Sequence, residues 1–268
     1  MSAGSQRKVT ERPPTAIIVA AVLGAALFVL PLTGLLWRTP WSRLGDLLTA
    51  EIVREAIVIS TVTSLAAALL SVVLGVPLAW LLARVEFRGR NVLRAVVTLP
   101  MVLPPVVGGA ALLFAFGRRG LIGDPVEAAT GFVLPFSIWA VIVANTFVAM
   151  PFLVVTVEGA LRSLDGTKEA AASTLGASQL TVFRRIVLPM IGPSLRAGVV
   201  LAWARALGEF GATITFAGNL PGRTQSLPLA VFVALESDRD AAVAISLILV
   251  VISFVVLLAF RDRWWSRS

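Results

Sequence analysis

The chain has 268 residues, 57% of them hydrophobic and 14% charged, with a formal net charge of +8 and neither cysteine nor histidine. Soluble domains are about 25% charged, so this composition, with a mean hydropathy of +0.91, indicates an integral membrane protein. Without histidine and cysteine, a disulfide framework, a histidine- or thiolate-ligated metal site and a Ser–His or cysteine hydrolase are all excluded. We therefore expect no catalytic residue, no metal and no cofactor, and we assign the basic charge to membrane-flanking loops rather than to nucleic-acid binding.

Several apolar stretches exceed the length of about 18 residues that crosses a hydrocarbon core of about 30 Å. The sequence therefore predicts an all-α integral membrane protein with six transmembrane helices. Residues 15–37 contain the first span, whose apolar run is longer than a signal-peptide core and has no small-x-small cleavage site after it, so a retained helix is favoured over a cleaved signal. The six predicted spans are residues 15–37, 56–83, 92–116, 132–157, 193–216 and 241–260.

Lysine and arginine are distributed unevenly between the two sides of these spans. Fourteen of them fall in the two tails and in the loops around residues 84–94 and 162–185, whereas seven fall in the other loops. Positive residues concentrate on the cytoplasmic side, which predicts that both termini are cytoplasmic. The predicted organisation is a cytoplasmic tail (1–14), a first helix with an external loop (15–50), a transmembrane domain (51–260) that contains a cytoplasmic loop (163–192), and a second tail (261–268).

Prolines and glycines cluster early in the predicted third span. Proline removes a helical hydrogen bond and glycine loosens the backbone, so a kink or break is expected in this region. Such an interruption is typical of a gate or a transport path, and it is equally compatible with a plain packed helix. The residues concerned are Pro100, Pro104, Pro105, Gly108 and Gly109.

The loop between the fourth and fifth spans, "AAASTLGASQLTVFRRIVLP", predicts two short helices. Thr167 is expected to cap the first, and Gly176 to end it in a left-handed conformation. Ser178 is expected to cap the second, with an apolar stripe of Leu180, Phe183 and Val187, an end at Pro189 and a restart of the chain at Pro193. From the residues alone, docking onto a partner and tucking beneath the membrane domain are equally supported.

The loop resembles the "EAA" motif of permease subunits of ABC importers, E-A-A-x3-G-x9-I-x-L-P. Ala171 and Ala172 match the two alanines, the glutamate position falls on Ala170 with Glu169 one residue earlier, and the glycine matches Gly176. The end of the motif matches Ile186, Leu188 and Pro189. The resemblance implies that this loop is a coupling helix that docks into a cytoplasmic ATPase subunit, with contacts from Glu169, Ala170, Ala171, Ala172, Gly176, Ile186, Leu188 and Pro189.

Residues 99–123 and 205–232 resemble the molybdate branch of the sulfate, molybdate and tungstate permeases, through "GEFG" at 208–211 and "PGRT" at 221–224 followed by "LPL" at 227–229. The resemblance covers about residues 50–260. It implies the type I ABC importer permease fold, multi-pass insertion in a bacterial-type cell membrane, and a transport subunit rather than an enzyme. The chain has no G-x-x-x-x-G-K-[ST] phosphate loop, so the ATPase is expected to be a separate chain.

The other partners implied are a second copy of the permease, most simply as a homodimer, an extracytoplasmic oxyanion-binding protein, and membrane lipid. The substrate expected is molybdate, with sulfate or tungstate as the alternatives. An intramembrane enzyme is a weaker alternative, because only one charged pair lies within the spans.

That pair is Arg205 and Glu209, four residues apart near the middle of the fifth span. A charge at this depth faces a bundle interior or a water-filled cavity, so the pair is either a neutralised structural element or part of the translocation path. In the external loop 218–228, Asn219, Arg223, Thr224 and Gln225 offer donors to an oxyanion, although a turn-rich connector is the favoured interpretation.

Overall fold

A computed structural model describes residues 14–265, and every regular element in this range is helical. A 3-10 turn (Leu99–Met101) and a π-helical turn (Phe183–Val187) join neighbouring helices. The helices in chain order are α1 Thr15–Arg38, α2 Leu44–Thr49, α3 Glu51–Arg84, α4 Arg90–Thr98, α5 Pro105–Phe116, α6 Gly123–Thr130, α7 Ile138–Ser163, α8 Thr167–Thr174, α9 Gln179–Val182, α10 Leu188–Met190, α11 Gly192–Leu207, α12 Gly211–Phe216, α13 Leu227–Ser237 and α14 Arg239–Trp265.

Four helices in the described range are long and apolar enough to cross a membrane, namely α1, α3, α7 and α14 up to Val256. The number of candidate spans rises to as many as six if each of two bent helix pairs, residues 90–116 and 179–207, is counted as one span. The predicted all-α membrane architecture is therefore confirmed. The predicted tails lie largely outside the described residues, and α14 runs past the predicted span end at residue 260.

Helix α7 is the centre of the molecule and packs along both α3 and α11. Small residues permit this close packing: a Cβ on Gly75 would lie 3.1 Å from Cδ2 of Leu153, and one on Gly198 would lie 3.3 Å from Cβ of Thr156. Close approach at small residues is how helices pack in a membrane, where no hydrophobic effect drives them together. Helix α1, by contrast, buries none of its residues inside the chain, as expected of a helix that faces lipid.

The predicted third span is interrupted, as the proline and glycine cluster indicated. Helix α4 and the 3-10 turn meet α5 at an angle of 118°. Pro104 has an extended ψ of 131°, and Pro105 occupies the first turn of α5, where its missing N–H removes no helical bond. The 12 residues of α5 reach about 18 Å at 1.5 Å per residue, so this helix alone is shorter than a hydrocarbon core.

The fifth span contains a second interruption, which the sequence did not predict. Helix α11 ends at Leu207, and α12 begins only at Gly211. Helix α13, which follows, was also not predicted; it begins inside the segment read as a connector, with Pro228 in its first turn. Apolar residues of α3, α13 and α14 form a cluster that holds α13 in place, including Val53, Leu227, Ala230, Ala242 and Ile245.

Candidate functional site

The loop between α7 and α11 contains the predicted helix, glycine turn and second helix. Gly176 follows α8 with φ of 82°, and no atom lies within 4 Å of an added Cβ. The Ala177 N–H donates to the Ala172 carbonyl at 3.1 Å, and the Gly176 N–H donates to the Ser173 carbonyl at 3.0 Å. These two bonds are the Schellman arrangement that closes a helix, so the predicted role of Gly176 as a left-handed helix end is confirmed.

The predicted helix starts in this loop are partly right. Ser178 caps α9 by accepting the Thr181 N–H at 3.3 Å, and Pro193 lies in the first turn of α11. Thr167, however, does not cap α8: it is the first helical residue, Gly166 occupies the cap position, and the Asp165 carboxylate accepts the Thr167 N–H at 3.1 Å. An aspartate two residues before the helix thus supplies the acceptor that was assigned to the threonine.

The predicted apolar stripe of the second helix is also displaced. Val182 and Val187 are buried and Phe183 is half-buried, but Leu180 is 64% exposed. A π-helical turn follows from Phe183 to Val187, in which the Leu188 N–H donates to the Phe183 carbonyl. The wider spacing of this turn places Val182 and Val187, five positions apart, on the same buried side, and the predicted stripe is wrong at Leu180.

The motif residues divide into two groups with different environments. Ala172, Ile186 and Leu188 pack against the apolar cluster that fills the loop end of α3, α7 and α11. Ala170, Ala171, Gly176 and Pro189 are exposed. The first group anchors the loop, and the second forms a surface that a partner can reach.

Leu175 is a further candidate contact, which was not predicted from the sequence. Its side chain is 88% exposed, next to Gly176 and one helical turn after the exposed Ala171. Exposed large apolar residues outside the hydrocarbon region mark interaction surfaces when they adjoin others, and Leu180 is also exposed nearby in the chain. The signal that would have found Leu175 is a leucine placed directly before the helix-ending glycine.

Ion pairs join this end of the molecule. Arg84 Nη2, at the end of α3, lies 2.6 Å from Glu169 Oε1 in α8. The Glu158 carboxylate, whose side chain is 8% exposed, lies 2.7 Å from Arg94 Nη2 and 3.0 Å from Arg162 Nε. Arg94 Nη2 also donates to the Leu82 carbonyl at 3.2 Å. These contacts bring α3, α4, α7 and α8 together at one end.

Arg205 and Glu209 meet at the interruption between α11 and α12. Arg205 Nη1 lies 2.6 Å from Glu209 Oε2, and the side chains are 28% and 1% exposed respectively. This contact is an ion pair without an aligned hydrogen bond. The other carboxylate oxygen, Oε1, accepts the N–H of Ala212 at 2.8 Å and so binds a donor that the first turn of α12 leaves open. The structure therefore brings the predicted pair together and gives Glu209 a capping contact that the sequence did not indicate.

Polar side chains also bridge the helices in the interior of the bundle, and none of these bridges was predicted from the sequence. Trp203 Nε1 donates to Ser64 at 3.1 Å, and the Leu227 N–H donates to Ser60 at 2.7 Å. Asn145 lies within 3.3 Å of Thr63 and within 3.4 Å of Thr213. Such bridges hold helices together in a membrane interior.

Three of the four predicted donors of the loop 218–228, namely Asn219, Thr224 and Gln225, form hydrogen bonds within the loop. Thr224 is fully buried and accepts the Leu220 N–H at 3.0 Å, and Gln225 donates to Asn219 at 3.0 Å. Arg223 alone of the four predicted donors has an exposed side chain. This geometry favours the turn-rich connector that was preferred over an anion site. Among residues 14–265, no group of three acidic, histidine or cysteine side chains is arranged to hold a metal ion.

Comparison with known proteins identifies the family. Residues 75–263 match the model for the binding-protein-dependent transport system inner membrane component. The chain is 46% identical over 250 residues to the molybdenum transport system permease protein ModB of Mycobacterium tuberculosis, covering 93% of this chain and 94% of the relative. It is 35% identical over 265 residues to the sulfate transport system permease protein CysT of Salmonella typhimurium, covering 97% and 95%.

The fold has a solved counterpart. A chain of a bacterial ABC transporter involved in the import of the acidic polysaccharide alginate superposes with a TM-score of 0.71 at 18% identity, over 95% of this chain and 96% of that one. At this identity the likeness concerns the fold. The relatives are transport permeases, which confirms the prediction of a transport subunit rather than an enzyme. The chain is a multi-pass membrane protein and belongs to the binding-protein-dependent transport system inner membrane components, the permease subunits of ABC importers.

Proposed function

We propose that the chain is the permease through which an ABC importer moves molybdate into the cytoplasm of a bacterial-type cell. The assignment of molybdate as the substrate rests on sequence identity. The chain is 46% identical to the molybdenum permease over 93% of its length, and 35% identical to the sulfate permease over 97%. Sulfate and tungstate are the alternative substrates. Selectivity between these anions is assigned mainly to the extracytoplasmic binding protein, with the permease supplying the path.

Arg205 is the candidate anion contact on that path. Its partner Glu209 is buried, whereas 28% of the Arg205 side chain is exposed on the outside of the single chain. A guanidinium presents five N–H donors and binds oxyanions in a bidentate manner. Its partly exposed side chain leaves donor groups that the carboxylate does not occupy, and these suit a tetrahedral oxyanion.

The exposure of Arg205 also supports a homodimer. A partly exposed charge inside a membrane must face protein or water rather than lipid. Two copies related by a twofold axis would place an Arg205 from each on the walls of a shared path. Closed twofold dimers are the commonest oligomers, and this arrangement requires no additional subunit type in the membrane.

The loop 163–192 is the proposed docking site for the cytoplasmic ATPase. Its exposed residues Ala170, Ala171, Leu175, Gly176 and Pro189 offer a small-residue helix that allows the backbone of a partner to approach. A short helix in a groove is a recurrent mode of recognition. With this loop inside the cell, the basic end of the bundle is cytoplasmic, in agreement with the positive-inside rule, and both termini are on the same side.

The test is transport by the complete complex in lipid vesicles. The permease is reconstituted with its ATPase and binding protein, and uptake of molybdate is measured with and without ATP inside the vesicles. We expect ATP-dependent molybdate uptake that excess tungstate reduces and that excess sulfate reduces much less. Equal competition by sulfate would assign the chain to sulfate transport, and uptake that does not require ATP would contradict the importer function.

A further inference from the structure

Helix α8 contacts the rest of the chain along one narrow face. Six of its eight residues are exposed, and only Glu169 and Ala172 are half-buried. These two residues are three positions apart and so lie on one face of the helix. Ala172 contributes a single methyl group to the apolar cluster at the loop end. Within the described residues, the only side chain on this face of α8 that forms an ion pair is therefore Glu169.

The partner of Glu169 is the last residue of a long helix. Arg84 ends α3, and its Nη2 lies 2.6 Å from Glu169 Oε1, with side chains 25% and 24% exposed. Charges covered to this extent are screened by salt much less than exposed pairs. The 34 residues of α3 extend over about 51 Å at 1.5 Å per residue, from the loop end to the opposite end of the bundle, where Val53 and Ala56 pack with α13 and α14.

We propose that Glu169 is a positioning residue that fastens α8 to α3 through Arg84, and that it is not a contact of the ATPase. This inference rests on the proposed docking of the loop. The residues that a partner can reach, Ala170 and Ala171, follow Glu169 in the helix and are exposed, whereas the Glu169 side chain is turned toward α3. A displacement of α8 by the ATPase is then transmitted through the ion pair to a helix that reaches the other end of the molecule.

The test compares neutral and exchanged charges in the reconstituted complex. The variants are Arg84→Gln, Glu169→Gln, the conservative Arg84→Lys, and the exchange Arg84→Glu with Glu169→Arg. Three quantities are measured for each: retention of the ATPase during purification, ATP hydrolysis with and without the loaded binding protein, and anion uptake. Arg162→Gln is the matched control. Arg162 lies at the same end of the molecule and pairs with Glu158, and neither Arg162 nor Glu158 forms an ion pair with α8. Glu158 keeps its second partner, Arg94, in this variant.

We expect both neutral variants to retain the ATPase but to lose about fivefold or more in uptake per ATP hydrolysed, the lower range of measured allosteric couplings. Arg84→Lys and the charge exchange are expected to recover most of this loss, and Arg162→Gln to resemble the wild type. Recovery by exchange distinguishes an intramolecular pair from a contact with another protein.

Two results would overturn the inference. The first is loss of ATPase retention in Glu169→Gln with normal behaviour in Arg84→Gln, which would make Glu169 a direct ATPase contact. The second is wild-type uptake in both neutral variants. If Arg84→Gln aggregates, the folded exchange variant decides: activity supports the pair, and inactivity contradicts it. Failure of the wild-type chain itself to retain an ATPase would instead contradict the proposed docking.

Discussion

Removing the two members of the Arg205–Glu209 pair separately should affect the protein unequally. Arg205→Leu leaves a carboxylate that is 1% exposed without its cation, and a central charge in a membrane helix costs about 2.5–3.5 kcal/mol. Glu209→Gln leaves Arg205, whose 28% exposure permits hydration, and it keeps an acceptor for the Ala212 N–H. We therefore expect Arg205→Leu to lower the free energy of unfolding by about 2.5–3.5 kcal/mol, and Glu209→Gln to lower it by less.

The double variant Arg205→Leu with Glu209→Gln removes both charges and keeps the cap of α12. Replacement of a buried ion pair by neutral groups is often close to neutral for stability, so the double variant should recover most of the loss, to within about 1 kcal/mol of wild type. A loss of about 3 kcal/mol corresponds to a fall of about 6–12 °C in the unfolding midpoint for a chain of this size.

The assay is thermal unfolding in detergent, followed by tryptophan fluorescence from the seven tryptophans, together with anion uptake in vesicles. Arg43→Gln is the control, because it breaks an ion pair whose side chains are 59% and 46% exposed, and its midpoint should not move. Destabilisation of the double variant equal to the sum of the single losses would refute the argument that the charges compensate each other.

Three other expectations are open to direct measurement. Gly176→Ala should reduce uptake, because a left-handed conformation costs a residue with a Cβ about 1–2 kcal/mol, whereas Gly131→Ala, with a φ of 70° and equally open surroundings, should strain the chain without affecting uptake. In the cysteine-free chain, a cysteine at Ser178 should be labelled only from the cytoplasm and one at Arg223 only from outside; the reverse would invert the topology. Gly109→Ala should destabilise by about 1–3 kcal/mol, because its Cβ would lie 2.8 Å from the Ala212 carbonyl oxygen, whereas Gly24→Ala meets no atom within 4 Å and should not destabilise the protein.

Local chemistry made several features of the loop predictable. A glycine that follows a run of alanines favours the left-handed conformation that ends a helix, and Gly176 adopts this conformation. Ser178, whose hydroxyl oxygen accepts the Thr181 N–H, and Pro193, whose ring suits the first turn of a helix, also occupy their expected positions. These predictions succeeded because each depends on residues within one or two helical turns.

The errors in the same loop have equally local causes. The cap of α8 is formed by Gly166 and Asp165 and not by Thr167. Gly166 occupies the cap position in a left-handed conformation, and the Asp165 carboxylate accepts the Thr167 N–H. The error at Leu180 occurs beside an irregular segment: the π-helical turn of residues 183–187 follows it, and Pro189 then has no N–H to donate to the Arg185 carbonyl. Hydrophobic periodicity assumes regular α-helical spacing and does not detect such a change.

The interior contacts could not be predicted, because they join residues far apart in the chain. Ser64 and Trp203 are separated by 139 positions, and Ser60 and Leu227 by 167. Serine and threonine in an apolar span are compatible with bonding to their own helix, as Ser71 does with the Ala67 carbonyl. Which of them bridge two helices depends on the packing of the whole bundle.

The two interruptions of the spans meet in space, and this meeting explains the position of the charged pair. A Cβ on Gly211 would lie 2.8 Å from Cβ of Pro105, so the first turns of α5 and α12 touch directly after their respective breaks. A helix that restarts inside a membrane has open N–H groups and no water to satisfy them, and Glu209 supplies an acceptor to one of these groups. The carboxylate therefore has a structural reason to be at this point, and it in turn requires a nearby cation.

The structural hypothesis for the pair then applies to Glu209, and the transport hypothesis applies to Arg205. Glu209 is buried and caps α12, whereas Arg205 neutralises it and still has part of its side chain exposed. If this division is correct, Glu209→Gln, which preserves the cap, should keep much of the anion uptake. Adding Arg205→Leu should restore stability but leave only part of the wild-type uptake, because the positive group on the proposed path is lost. Full uptake by the double variant would show that Arg205 serves only to neutralise Glu209.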